Sequence, residues 1–317
     1  MGIKNLITII NKFASDAIKY KKIYDYQDMI LGIDANLMIY KMIYAIRKNG
    51  YDIKNGDIIV THIHAILQKL IAFKKYNIIP IFVYDGIPPK IKEKTIEQRK
   101  VFQKYMQNKY QQAVTQDEKK RYYFMKSDIT SKEIDDIKML IEIFGFTNID
   151  SIEEADSELA RLSKDGIIDG IVTDDMDILI FGGNTILKNF TVSDKKKIQE
   201  IDLNILLDEL NINQKQLIDI GILLGCDYCV TVKGIGPVNS YKYIVKYKSI
   251  DNLIKKGLIK LNIDYKKAQK YFINPLVNTN EISIQNGDIN ENKLKKFLKQ
   301  FDYNDAYIQN ILSRIPK

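Results

Sequence analysis

Three aspartates crowd one short stretch of the chain: in IVTDDMDILIFGG, residues 171–183, Asp174, Asp175 and Asp177 follow directly on an apolar run. Two other apolar runs also end in acid, MILGID at Asp34 and IIPIFVYD at Asp85. SIEEADSELARL sets Glu154 and Asp156 at the start of a helix, and LLGCDYC sets Asp227 just beyond another. Singly, each has a structural explanation, because Asp after a strand commonly caps a helix and acids in a first helical turn complement its dipole. Gathered in one cleft, Asp34, Asp85, Glu154, Asp156, Asp175, Asp177 and Asp227 would repel one another, raise several of their pKa values and need cations. Oxygen-only donors select hard ions, Mg²⁺ or Mn²⁺, which keep positions open for a phosphate. Two such ions about 4 Å apart would support in-line attack of an activated water on a phosphodiester. Asp175 and Asp177, two apart on a segment expected to be extended, would face one side and serve one ion together.

The elements that must position these acids alternate. MILGID, IIPIFVYD and GIIDGIVTDD have the character of buried parallel strands, and ANLMIYKMIYAIR and THIHAILQKLIAFKKY are helical in period. The expected class is α/β, a mostly parallel twisted sheet flanked by helices. In open sheets of this kind ligands bind beyond the carboxyl ends of the strands, so the strand-end acids would converge on one edge. Residues 90–126, KIKEKTIEQRKVFQKYMQNKYQQAVTQDEKKRYYFMK, are highly charged, free of Gly and Pro and only loosely amphipathic. They suit either a solvated helix pair or a basic element that orders on a polyanion, and composition leaves both open. SKEIDDIKMLIEIFG resumes core periodicity, and the final third is helical and Lys-rich. There VKGIGPVNSYKYI opens a helix whose N–H groups could accept a backbone phosphate, although a turn alone explains its Gly and Pro. No repeat or long linker divides the chain, so residues 1–317 are read as one domain.

The 317 residues are 45% apolar, enough for a buried core, and carry a formal charge of +8 spread along the sequence, which favours a polyanionic partner. Only Cys226 and Cys229 occur, too few for a disulfide framework, and an intracellular compartment is expected. The N-terminal MGIKNLITIINKFASD is broken by Lys4, Asn5, Asn11 and Lys12, so neither a secretion signal nor a membrane span is expected. Leu6 stands where myristoylation needs Ser or Thr. A zinc site from His62, His64, Cys226 and Cys229 is rejected: two positions along a helix diverge by about 200°, and one C-x-x-C is half a tetrahedral site. The cysteines are read as core residues.

Six segments in order, MGIKNL, IDANLMIY, FVYDGIPPKIK, EEADSELARL, TDDMDILIFGG and LLGCDYCVTVKGIGP, resemble the motifs of the structure-specific 5′ nucleases of the flap endonuclease and XPG family. The resemblance implies a saddle-like, PIN-like α/β core with a helical arch at about 90–130, a helix–two-turn–helix at about 215–250 and closing helices over 251–317. It implies two Mg²⁺ or Mn²⁺ ions, with Asp34, Asp85, Glu154 and Asp156 nearer one and Asp175, Asp177 and Asp227 nearer the other. Asp156 stands where the family usually has Glu, one methylene longer, and Asp174 replaces a Glu that is not usually a ligand. Lys92 and Arg99 match the gateway cations over the scissile phosphate, and their spacing of seven puts both on one helical face. Tyr40 falls where the family stacks on a terminal base; Arg47 and Thr61 fall on its downstream or 3′-flap side. Gly2, Lys233, Gly234 and Gly236 take backbone-contact positions, and the carbonyls of Thr231, Val232 and Ile235 those that hold a K⁺ ion. The implied activity is metal-dependent 5′ endonuclease and 5′→3′ exonuclease cleavage by a monomer of branched double-stranded DNA at a flap, nick, gap or junction, in replication, repair or recombination. The rivals are an inactive nucleic-acid-binding scaffold and a ribonuclease on the same core. The sequence shows no sliding-clamp tail and no basic nuclear-targeting cluster.

Overall fold

Short apolar runs fold as strands and 3.6-periodic stretches as helices, which gives the expected α/β class with a mixed, mostly parallel sheet flanked by helices. The computed structural model describes residues 3, 5–126, 129–193, 195–229, 232, 234–260, 265–279 and 281–316, with backbone alone at 124–126. Gly2, Thr231 and Lys233 lie outside the described residues. The chain packs as two units: Met1–Asp25, Asp85–Thr95 and Asp150–Thr279 form the first, and Tyr26–Tyr84, Ile96–Ile149 and Asn280–Lys317 the second.

In the first unit four strands run in the order Ile18–Lys21, Ile198–Asp202, Thr185–Lys188, Gly170–Val172. The last pair is parallel, with Ile171 beside Ile186, and the other two pairs are antiparallel. Of these, Gly170–Val172 is wholly buried and falls in the GIIDGIVTDD run, whereas the other three are short and only partly buried and escape the sequence reading; Ile18–Lys21 has both its central residues exposed and so presents no apolar run. Leu6, Ile9 and Ile10 of the helix Leu6–Phe13, together with Ile171, Ile186 and Ile201, are fully buried. Each such side chain contributes about 1.5–3 kcal/mol relative to exposure.

In the second unit Ile30–Asp34 pairs in parallel with Ile79–Tyr84. Helix Ala35–Arg47 starts where the Asp34 carboxylate accepts the Leu37 N–H at 3.0 Å, and a Thr130–Glu133 capping box opens Ser131–Ile143. The helix Glu93–Gln112 buries no residue, as its loosely amphipathic sequence predicts, and leaves Phe102 56% exposed. Gln116–Lys126 follows it. Among the described residues no helix is long and apolar enough to cross a membrane.

Candidate active site

A glycine decides how the first carboxylates are placed. Gly86 donates its N–H to the Glu153 carbonyl at 2.7 Å and Ile87 to the Ile152 carbonyl at 3.1 Å. A Cβ on Gly86 would lie 2.0 Å from the Ser151 carbonyl oxygen, so only glycine lets the 151–153 loop pass this close. Asp85 then accepts the Ala155 N–H at 2.9 Å, at the start of the helix Ala155–Lys164. The Asp-Gly pair thereby fixes where Glu154 enters.

Glu154 is buried and fully engaged. One carboxylate oxygen meets the Lys92 ammonium; the other accepts from the Tyr228 hydroxyl and, at 3.2 Å, from Tyr271. Tyr228 and Tyr271 pack edge to face, 4.8 Å between ring centres, against Phe181 and Phe272. Burial and the neighbouring Glu154 charge raise the pKa of both phenols, keeping them protonated as donors. Lys92 also reaches Asp227 at 3.1 Å. Burial alone would lower its pKa, but the charges of Glu154 and Asp227 prevail and raise it.

Asp177 is 2% exposed and accepts the Ile3 N–H at 2.6 Å, tying the start of the chain to the site. Asp175 accepts the Asp177 N–H at 2.9 Å. The segment is not extended as the sequence reading supposed: Asp177 opens the short helix Asp177–Phe181, so the two acids are joined by this backbone bond rather than by strand alternation. Burial raises the pKa of both, and for Asp177 the negative charges of Asp175 and Asp227 raise it further. Glu154 and Asp227 thus meet the Lys92 ammonium directly, and Asp175 and Asp177 lie within reach of its charge. Among the described residues no three of the His, Cys, Asp or Glu side chains already stand spaced to enclose an ion. The donor set is nonetheless carboxylate oxygen, in excess over the cation present, which suits a hard divalent ion.

The remaining predicted residues are placed differently. Asp156 lies half-buried in the first turn of Ala155–Lys164, and Asp34 caps its own helix in the second unit. Asp174 accepts the Asn189 N–H at 2.7 Å, a structural bond. Lys92 ends a 3₁₀ turn, Lys90–Lys92, whereas Arg99 is exposed in the helix that follows, so the pair does not share the single helix that their spacing of seven assumed. Tyr40 is half-exposed and packs edge to face on Tyr44. Arg47 and Thr61, expected beside DNA, are buried: Arg47 pairs with Asp52 at 2.8 Å and Glu133 at 3.2 Å, and Thr61 donates to Asp52 at 2.8 Å. His62 faces Asp136 at 3.2 Å. Gly234 adopts φ +83°, which favours glycine, and Gly236 caps the helix Pro237–Tyr247. Val232 and Ile235 are buried, and the Val232 carbonyl accepts the Ile235 N–H at 3.3 Å.

The residues that sequence reasoning missed are the supports. Tyr228, Tyr271, the Ile3 N–H and Thr95, whose hydroxyl donates to the Asp227 carbonyl at 2.6 Å, carry no local signal because their partners lie far along the chain. Only Tyr228 was within reach, beside Asp227 in the LLGCDYC stretch.

Family models for the XPG N-terminal domain and the XPG I-region match residues 1–106 and 145–227. The chain is 32% identical over 299 residues to flap endonuclease 1 of Enterocytozoon bieneusi, covering 92% of this chain and 83% of that protein. It is also 32% identical over 317 residues to flap endonuclease 1 of Bos taurus, covering 95% and 83%. Among solved structures, the catalytic core of Rad2 in complex with DNA substrate superposes with a TM-score of 0.78 at 24% identity, over 99% of this chain and 100% of that one. Flap endonuclease-1 from Methanococcus jannaschii superposes with a TM-score of 0.72 at 24% identity, over 94% and 95%. With the acid cluster, the fold and these relatives in agreement, the chain belongs to the flap endonuclease and XPG family of structure-specific 5′ nucleases.

Proposed function

We propose that this family member is a Mg²⁺- or Mn²⁺-dependent 5′ nuclease that hydrolyses DNA phosphodiesters at flaps or junctions as a monomer, with 5′→3′ exonuclease activity at the same site. The observation that carries the reading is the gathering of carboxylates near Lys92: Glu154 and Asp177 buried, Asp175 and Asp227 half-buried, with only Glu154 and Asp227 in contact with the ammonium. Asp175, Asp177 and Asp227 would hold one ion, and Asp85, Glu154 and Asp156 a second. For Asp34 as a further ligand the support is its IDANLMIY motif. A divalent ion bound there supplies Lewis acidity toward a phosphate oxygen and a nearby water.

The chain's own groups do the rest. Tyr228 and Tyr271 hold Glu154, and the Ile3 N–H holds Asp177, so the donors need little reorganisation when charge develops. Lys92, once its carboxylates are shared with an ion, has an ammonium to turn toward the scissile phosphate. Water adds across one P–O bond, one fragment leaving with a phosphate and the other with a hydroxyl. Arg99 would contribute a second cation and Tyr40 a stacking face for a base. A Cβ at Gly236 would meet no atom of the described residues within 4 Å, which leaves room for close approach of a DNA phosphate to the helix it caps. The carbonyls of Thr231, Val232 and Ile235 would hold K⁺ at that contact. Contacts to phosphates read shape and charge rather than bases, so binding should weaken steeply with salt.

The test incubates the protein with a 5′-labelled double-flap DNA, a nicked four-way junction and plain single strand, in Mg²⁺ or in EDTA. A discrete flap product that needs Mg²⁺ is the expected result. Tight binding without cutting of any substrate would make the chain a DNA-binding scaffold instead.

A further inference from the structure

The chain's two cysteines flank Asp227 and Tyr228 in a tight turn. The Cys226 N–H donates to the Cys229 carbonyl at 3.1 Å, and the Cys229 N–H to the Cys226 carbonyl at 3.3 Å, so the two form a hydrogen-bonded antiparallel pair. Such a pair holds its Cα atoms about 5.5 Å apart, inside the range that a disulfide spans. Both residues are thiols and their sulfurs lie 3.2 Å apart. Reaching a disulfide bond length of about 2.05 Å therefore takes roughly 1 Å of closure, shared between rotation of the two side chains and a slight tightening of the 226–229 turn. Cys226 is partly exposed and Cys229 is buried, so Cys226 is the more accessible to a reagent.

We infer that Cys226 and Cys229 are a reversible dithiol–disulfide site, taking a peroxide or a small disulfide such as oxidised glutathione as oxidant, and that the disulfide switches the acidic site through Asp227 and Tyr228. With oxidised glutathione, the Cys226 sulfur attacks one glutathione sulfur, the glutathione S–S bond breaks and one glutathione thiol leaves. The Cys229 sulfur then attacks Cys226 in the mixed disulfide and releases the second. Two cysteine protons pass to the two glutathione thiolates, and two electrons leave the cysteines. With hydrogen peroxide, the O–O bond breaks to give a Cys226 sulfenic acid and water, and Cys229 displaces its oxygen as a second water.

The ring so formed encloses two residues that support the site. Asp227 receives Lys92 at 3.1 Å through its carboxylate and Thr95 at 2.6 Å through its carbonyl, while Tyr228 donates to Glu154. Tightening the turn moves both. This half of the inference rests on the reading of Asp227 as an ion ligand, and displacing such support weakens an ion by about 10–100-fold.

The experiment poises the full chain in oxidised and reduced glutathione, traps free thiols by alkylation, and reads the linkage by mass. Thermal unfolding with and without Mn²⁺ follows on both forms, beside Cys226→Ser and Cys229→Ser. Expected are a 226–229 link with loss of two hydrogens, a Mn²⁺ affinity at least about tenfold weaker in the linked form, full reversal by dithiothreitol, and no response in either variant. A chain that gives only mixed disulfides, or a linked form that takes Mn²⁺ as the reduced form does, overturns the inference. Reduced protein that gains no stability from Mn²⁺ would sink the ion site and with it the switch, a failure told apart by the mass, which still reports the link.

Discussion

Each unit buries a cluster of charge, and the two are built in opposite ways. In the second unit Arg47 lies between Asp52 and Glu133, and Asp52 also receives the hydroxyls of Thr61 and Tyr123, the latter at 2.6 Å. Burial there would raise the Asp52 pKa, but bonds from Tyr123, Arg47 and Thr61 outweigh it and hold the carboxyl below its ordinary value. In the first unit Asp175 and Asp177 have the reverse shift, because burial and like charges are not matched by donors. In the closed cluster the Asp52 carboxylate is satisfied from within, although Arg47 Nη1 has no hydrogen-bond partner among the described residues, whereas the open one, with its raised carboxylate pKa values, is short of positive charge. Residue type alone does not separate them; the number of internal partners does.

The comparison breaks first at Asp177. Asp177→Asn keeps an oxygen for the Ile3 N–H but removes a charge from the site, so cleavage should fall by more than about a thousandfold while DNA affinity changes little. In EDTA the same variant should be more stable than the parent, because it relieves repulsion. The sign follows from the raised folded pKa: the ionised parent is penalised above it and recovers stability as pH falls through it. The gap between parent and variant should therefore close on acidification, as unfolding midpoints at a series of pH values would read. A variant less stable than the parent at neutral pH would mean the cluster is not short of positive charge.

Next in size is Arg47→Ala, which leaves Asp52 and Glu133 buried without their cation. A loss of about 3–5 kcal/mol in denaturant unfolding is expected, with Mn²⁺-dependent stabilisation retained. A variant of unchanged stability that binds flap DNA several-fold more weakly would return Arg47 to the DNA contact its position suggested.

What could be read beforehand divides along the same line. Strand-end acids announce themselves by position, since MILGID and IIPIFVYD had to be buried strands and their last residues had to emerge at an edge. Gly86 stands in the FVYDGIPPKIK motif, but no sequence pattern shows that a Cβ there would lie 2.0 Å from the Ser151 carbonyl oxygen. The fate of Arg47 was hidden because Glu133 lies 86 positions away, and no spacing rule links a basic residue late in one helix to an acid opening another. Tyr228 and Tyr271 were hidden likewise: a Tyr among apolar neighbours looks like core until its hydroxyl is seen to point at a carboxylate. The helix that Asp177 opens is not what the extended segment expected at Asp175 and Asp177 implies, because four apolar residues after an acid suit either period.

Tyr228→Phe tests the open cluster through its support. The ring packing against Phe181 and Phe272 survives and one bond to Glu154 is lost, so Mn²⁺ affinity should fall by about 10–100-fold with little change in ion-free stability. Equal loss of stability with and without the ion would make Tyr228 a packing residue only.

Tyr123→Phe applies the same subtraction to the closed cluster and should have the smallest effect. Asp52 keeps Arg47 and Thr61, so the cost is that of one hydrogen bond to a charged group, about 1.5–3 kcal/mol at neutral pH. Its pH dependence is the sharper reading. The depressed pKa of Asp52 means that its contribution is complete above the ordinary carboxylate value near 4 and is lost as pH falls through the lower folded value. The parent should therefore lose its advantage over Tyr123→Phe only in acid below about pH 4. The advantage of Asp177→Asn over its parent closes at higher pH, because the Asp177 pKa is raised rather than lowered. Two single-atom or near-isosteric changes, one in each unit, should thus give difference curves that collapse in separate pH windows and with opposite sign. Curves collapsing together, or with the same sign, would show that both clusters are balanced alike, and the surplus of charge on which the proposed ion site rests would be gone.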